Sequence, residues 1–532
     1  MFRNDKISNA APLSRRLFMG SAVAAGLATA WPSTAWAMAG ITRKSLQGGN
    51  AGPDLAIYQQ AVKMMLNLPP EDPRNWYRHA ITHMMDCPHG NWWFLVWHRG
   101  YLGWLEKTCR EMTGEEKFAL PYWDWTKETK VPNAFWSGVL NPSAPEYETS
   151  VTNFRSKFRD AVEAQWNAFT VDQIAQQMTR GANVPPVIAY SNFAEFWSSA
   201  EFHFFGNAQS RNLTQANPEF NPSAKDAVEE STIIDALSPR EFVSNSGGFG
   251  FESAESDVHH GRAPKSIIES QSHDQVHGAI GGLMGRWLSP VDPIFFMHHC
   301  NIDRLWDVWS RKQAVNNRPD GPPTHLEAKY KSEPFLFFHD ENGNAAPMTT
   351  AADYIDISVF DYDYEPGTGE DQVQPLLALS TQVSDEVAGA ASAFDIAAPG
   401  QAFLVLSTEL AARINTADTE RFFATVSITP PEDVRDLEFL VFIGKEGGAI
   451  DTDVDSKNFA GSLSFFGDVA HGMGPAVFNI GITEAVRNLR AAGDLTEGDP
   501  LQISVVPQAR PGSAALSSNA EGALTSVVIG TL

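Results

Sequence analysis

Two groups of histidines constrain this chain more tightly than any other feature. Between Glu269 and Trp306, His273 and His277 stand four residues apart in a stretch with helical apolar spacing, so both imidazoles project from one face. His298 and His299 follow on the next amphipathic stretch. Upstream, His79, His83, His89 and His98 form a second group. Three neutral imidazoles without a thiolate or carboxylate make a shell for copper, zinc or iron, and the affinity order with an all-nitrogen donor set favours copper. Two such shells, drawn from these eight candidates, describe a metal pair.

The remainder of the chain reads as two unlike parts. Residues 54–112 carry apolar residues at helical intervals broken by Pro and Gly, with His89 on a loop and His98 near the start of a helix that ends by Gly114. Helical patterns return over 150–210, while 207–265 is loop-rich. LPYWDW at 120–125 reads as an aromatic wall of the core. Residues 366–398, rich in Glu, Asp, Ala, Gly, Ser and Thr, read as a linker. Beyond it come short β-type runs, AFLVLS, FFATVSI, LEFLVFIG, GSLSFFG and LQISVVP. The expected fold is a mainly α domain over 38–365 followed by a smaller C-terminal β-sandwich over 399–532. The chain's 532 residues exceed one ordinary core, and all 15 Trp fall in the first 310 positions, which agrees with that division.

The first 37 residues have the order of a twin-arginine signal: Arg15-Arg16, an apolar run from Gly20 to Ala30, then Ala35-Trp36-Ala37 as a cleavage site. The expected location is therefore periplasmic or secreted. Removing this leader takes the formal net charge from −25 to −28, a surface that repels nucleic acid and anionic membranes. No other run is long and apolar enough to span a bilayer. Three cysteines, Cys87, Cys109 and Cys300, are too few for a disulfide scaffold.

Two segments, HGNWWFLVWHRGYLGWLE (89–106) and DPIFFMHHCNID (292–303), resemble the paired copper signatures of the tyrosinase, catechol oxidase and haemocyanin superfamily. The resemblance covers about residues 54–364, with LPYWDW and the Tyr362, Tyr364 pair adding to it. It implies a four-helix bundle around two copper ions per chain. Carried over by position, it implies His83, His89 and His98 as ligands of the first copper (CuA), with His79 the rival of His83, and His273, His277 and His299 as ligands of the second (CuB). Cys87, two residues before His89, matches the C-x-H arrangement that forms a thioether in some relatives; a free buried thiol is the alternative. The ion pair Arg99–Asp303 is expected across the bundle.

In similar enzymes a glutamate at the position of Glu269 holds a water, and an Asn or Asp stands at Asp274. A phenol, pKa about 10, must lose its proton to bind copper, and a water polarised by two acceptors serves as the base. These two acids therefore point to monophenol hydroxylation beside diphenol oxidation; solvated helix-face acids are the bland alternative. The C-terminal part resembles the sandwich domain that shields the pocket in plant polyphenol oxidases and haemocyanins, with Phe465 or Phe466 as the plug. The implied function is oxidation of small phenols to o-quinones by dioxygen. The alternative is a haemocyanin-like dioxygen carrier without turnover. A dizinc or di-iron hydrolase would recruit carboxylate ligands that these clusters lack. A copper-delivery partner is compatible with such a centre, and the sequence does not specify one.

Overall fold

A computed structural model describes residues 40–181, 190, 192–204, 210–243, 249–256, 263–375, 384–387, 392–394, 400–404, 410, 412–413, 421–431, 437–466, 475–496, 499–510 and 522–531. The leader expected over 1–37 lies outside them, as do His259, His260 and His471. The account below concerns residues 41–532, which form one compact unit.

Its helical part begins with strand β1 (Ile41–Arg43), then α1 (Gly52–Leu66), α2 (Trp76–Asp86) and α3 (Phe94–Thr113). The Asn75 side chain caps α2 by accepting from the Tyr77 amide. Pro88 holds the residue before it in extended backbone, so α2 stops at Cys87 and the chain turns into the loop bearing His89. Helix α3 starts where Asn91 Oδ1 and Glu252 Oε2 accept from the Trp93 and Leu95 amides, and ends at Gly114 in the left-handed region (φ 73°). Gly100 and Gly103, one turn apart on α3, admit the rings of Phe338 and Phe360; a Cβ at Gly103 would lie 2.2 Å from Phe360.

Helices α4 (Val151–Asn167), α5 (Val171–Gly181) and α6 (Phe193–His203) follow as the spacing predicts. The stretch read as loop holds two short helices, α7 (Pro222–Asp226) and α8 (Glu230–Ala236), both too brief to show a periodicity. A π-helical turn (Ile268–His273) leads into α9 (Asp274–Ile280), and α10 (Ile294–Val315) carries the second signature. After α11 (Glu327–Ser332), β2 (Tyr362–Tyr364) pairs in parallel with β1.

That pairing closes a buried ionic knot. Asp303 on α10 accepts from Arg99 on α3 at 2.7 Å and from the Tyr364 hydroxyl at 2.7 Å, with Tyr362 as a third donor. Arg43 on β1 joins it to Glu106, 2.8 Å away. Burial alone would push the Asp303 carboxyl up; Arg99 and Arg43 overcome this and hold it below the ordinary carboxylate range. The expected Arg99–Asp303 pair is thus present, with Arg43 as an additional member.

The C-terminal part is β-sheet. One antiparallel sheet has the order β5 (Gly400–Leu404), β10 (Leu501–Ala509), β7 (Leu437–Lys445), β8 (Phe459–Leu463). The other runs β3 (Ser384–Val387), β11 (Gly522–Thr531), β6 (Phe422–Thr429), β9 (Ala476–Gly481), with β4 (Ser392–Phe394) also on β11. Apolar residues of both sheets and of α12 (Thr483–Ala491) make one cluster that includes Val426, Val441, Phe478 and Leu489. Strands β3 and β4 fall inside the stretch expected to be a linker: Ser, Asp and Ala are poor strand formers by themselves, and pairing with β11 supplies what propensity does not.

Asp303→Ala would leave Arg99 in the core without its carboxylate partner, while Arg43 would keep Glu106. The expected loss is about 3–5 kcal/mol of stability, read from the denaturant midpoint.

Candidate metal centre

Each histidine group converges. His83, in the last turn of α2, Cys87 and His89 bring ligand atoms within 4.8 Å of one another, as do His273, His277, His298 and His299. His98, one turn into α3, stands with its ring centroid 5.7 Å from His83 and 5.3 Å from His89, and stacks on His299 at 4.3 Å. His89 and His273 are 5.4 Å apart, so the two groups share one chamber. His79, one turn before His83, is not among the clustered nitrogens.

The protein orients these rings through their Nδ1 atoms. His83 Nδ1 donates to the Trp287 carbonyl (2.8 Å), His98 Nδ1 to Phe94 O (2.7 Å), His277 Nδ1 to Met284 O (2.5 Å) and His273 Nδ1 to Asp274 Oδ1 (2.8 Å). A ring that donates from Nδ1 keeps its lone pair on Nε2. Burial pushes His83 down to about 3, and burial with neighbouring imidazoles takes His98, His273, His277 and His299 well below the ordinary value, so all are neutral. The Nε2 atoms of His83, His98 and His273 are buried without a partner, and those of His277 and His299 face each other at 3.3 Å. Buried nitrogens with aligned lone pairs and no donor to satisfy them fit a metal cation.

His298 is arranged differently. Trp125, from the aromatic LPYWDW run, donates its indole N–H to His298 Nδ1 at 2.8 Å. The His298 proton then sits on Nε2, which has no lone pair left to offer.

Glu269 and Asp274 are 0% and 1% exposed, which overturns the solvated-face alternative. Glu269 lies in the π-helical turn and accepts from the Gly90 amide (2.6 Å) and the Ser253 hydroxyl. Lys265 Nζ approaches Asp274 Oδ2 at 2.6 Å and Glu269 Oε1 at 3.7 Å. Burial pushes both carboxyls up, Asp274 to about 7, against the pull of Lys265, whose own ammonium the two acids keep charged. Sequence reasoning missed Lys265, Ser253 and Trp125. Lys265 stands four residues before Glu269, a spacing too common to single it out.

Phe466, just past β8, covers the chamber, with ring centroids 4.4 Å from His277, 4.7 Å from His89 and 5.4 Å from His273. Phe465 points elsewhere, against Phe439 and Phe478. Among the described residues no helix is long and apolar enough to cross a membrane.

Comparison with known proteins agrees with this chemistry. The family described as the common central domain of tyrosinase matches residues 58–312. A tyrosinase of Hahella sp. (strain CCB-MM4) is 24% identical over 514 residues, covering 86% of this chain and 94% of that relative. Polyphenol oxidase II of Ipomoea batatas is 23% identical over 342 residues, 58% of this chain and 47% of its own length. Among solved structures, a latent aurone synthase (polyphenol oxidase) shares the fold with a TM-score of 0.57 at 19% identity, over 93% of this chain and 90% of that one. Latent apple tyrosinase does so with a TM-score of 0.50 at 17% identity, over 93% and 98%. Residues 58–312 thus carry the common central domain of tyrosinase, and the tyrosinase and polyphenol oxidase relatives support an oxidoreductase of the type 3 copper superfamily.

Proposed function

We propose that this protein oxidises small phenols to o-quinones with two copper ions per chain, taking catechols and also hydroxylating monophenols, while dioxygen is reduced to water. His83, His89 and His98 would hold one copper, and His273, His277 and His299 the other. The observation carrying this reading is the set of buried imidazoles gathered in one chamber, four of which, His83, His98, His273 and His277, keep their Nε2 lone pairs because they donate from Nδ1. The Trp125 bond to His298 supports His299 as the third ligand of the second group. When bound, the copper pair supplies dioxygen binding and the electron-transfer chemistry. The chain's own residues orient the rings, exclude water and handle the substrate proton.

Glu269 and Asp274 enter as the groups holding the water that accepts the phenol proton. A catechol, whose first hydroxyl is more acidic, needs this less. Glu269→Gln is expected to slow monophenol hydroxylation about a hundredfold and catechol oxidation far less, read as separate initial rates; equal losses would remove Glu269 from the proton step.

The cover by Phe466 supports two states of the same centre: an enzyme held latent by its C-terminal part, or a dioxygen carrier without turnover. Quinone formation from catechol by the intact chain separates them. Phe466→Ala in that chain should raise catechol turnover roughly tenfold. A carrier would show no turnover in either form.

Cys87 and His89 form the proposed thioether, for which their proximity is the support. The S–H and ring C–H bonds break as the S–C bond forms, with dioxygen as the acceptor of the two electrons and two protons, so intact-mass measurement should find the protein lighter by two hydrogen atoms than its unlinked form. Twin-arginine export to the periplasm or beyond is part of the same reading, and the exported protein should begin at Met38.

A further inference from the structure

The residues that carry the second histidine group are fastened to the C-terminal sheet as well as to the helices. Lys265 adds a rung to β9: its amide donates to Val477 O at 3.0 Å, and its carbonyl accepts from the Asn479 amide at 3.0 Å. Further along the same segment, Ser270 Oγ donates to Asn479 O at 2.5 Å, and Gln271 Oε1 accepts from the Gly481 amide at 3.0 Å. Gly278, next to His277, is overlaid by the guanidinium of Arg510 from the end of β10; a Cβ there would lie 1.6 Å from Nη1. A cover that only rests on the pocket has no need of backbone hydrogen bonds to the segment beneath it.

From that anchored rung, the Lys265 side chain runs back toward the histidines. Its Nζ sits 2.6 Å from Asp274 Oδ2, and the other oxygen of the same carboxylate accepts from His273 Nδ1 at 2.8 Å. Asp274 therefore has one oxygen on the ring it aims and one on a cation whose main chain belongs to the sheet. Carboxylates behind metal-binding histidines set ring orientation and basicity, and their own partners decide how firmly they do so.

We propose that Lys265 is the positioning residue of the second histidine group, acting through Asp274 on His273, and that β9 is its mount. The C-terminal sheet then builds this half of the centre as well as covering it. The inference rests on the dicopper reading above.

The test uses the full chain with Lys265→Met, Asp274→Asn and both together. Asp274→Asn keeps the volume and an oxygen for His273 while removing the attraction for Lys265. Copper per chain is measured by elemental analysis after dialysis against graded chelator, with the denaturant midpoint of each copper-free protein recorded alongside. In wild type both ions should resist the chelator. In K265M one ion should leave at roughly 10- to 100-fold lower chelator concentration while the other stays, and D274N should reproduce this. The double variant should lose no more than either single one, because both act in one chain of contacts. Should K265M not fold, D274N carries the test alone, and its keeping both ions at wild-type affinity overturns the proposal. Retention of both ions by K265M, equal weakening of both ions, or losses that multiply in the double variant overturn it too. A wild-type protein that binds fewer than two copper ions would instead bring down the dicopper reading, and the inference with it.

Discussion

The structure turns on burying a set of imidazoles so that the Nε2 atoms of His83, His98 and His273 meet no protein partner. Each buried polar atom without a partner costs about 1–3 kcal/mol in an ordinary core, and His83, His98 and His273 all carry one. Such an arrangement persists because the surroundings leave the rings no other orientation. Carbonyls of Trp287, Phe94 and Met284 and the Asp274 carboxylate each take an Nδ1 proton. The helices that present those rings are tied to each other by the Arg43–Glu106 and Arg99–Asp303 pairs, in which each buried ionic group has a partner.

The same economy explains the aromatic character of the helical core. Indole and phenol rings supply bulk together with a single donor, and several of those donors serve the chamber and its frame. Trp125 fixes the tautomer of His298, Tyr362 and Tyr364 complete the shell of Asp303, and Trp97 donates to Asp86 at the end of α2. Phe466, which has no donor, is the ring placed over the imidazoles themselves. An apolar face there excludes water without offering the histidines a competing hydrogen bond.

How much of this was legible follows from which interactions are local. Helix spacing, the Pro88 stop, the capping Asn75 and the four-residue interval between His273 and His277 are all encoded within a few positions, so α1 to α3, α9 and α10 could be read directly. The chamber's outer shell could not. Lys265 and Asp274 are nine residues apart across a π-helical turn whose extra residue per turn no periodicity announces. Strands β3 and β4 exist because β11 reaches them from well over a hundred residues downstream. A composition that looks like linker is then paired as sheet.

By itself the sequence determined the donor chemistry: two groups of imidazoles at ligand spacing, no carboxylate or thiol among the signature ligands, helices to carry them and a strand-rich end of the chain. Those are properties of residue type and short interval, which the backbone geometry of a helix or strand converts into a face. Only the tertiary structure decided which ring lies over the chamber, Phe466 rather than Phe465, which of two adjacent histidines has its lone pair tied up, and that a lysine on the sheet holds the acid behind His273. Each of those depends on where distant segments meet, and burial and hydrogen-bond satisfaction across the whole chain set that meeting, not any single stretch of it.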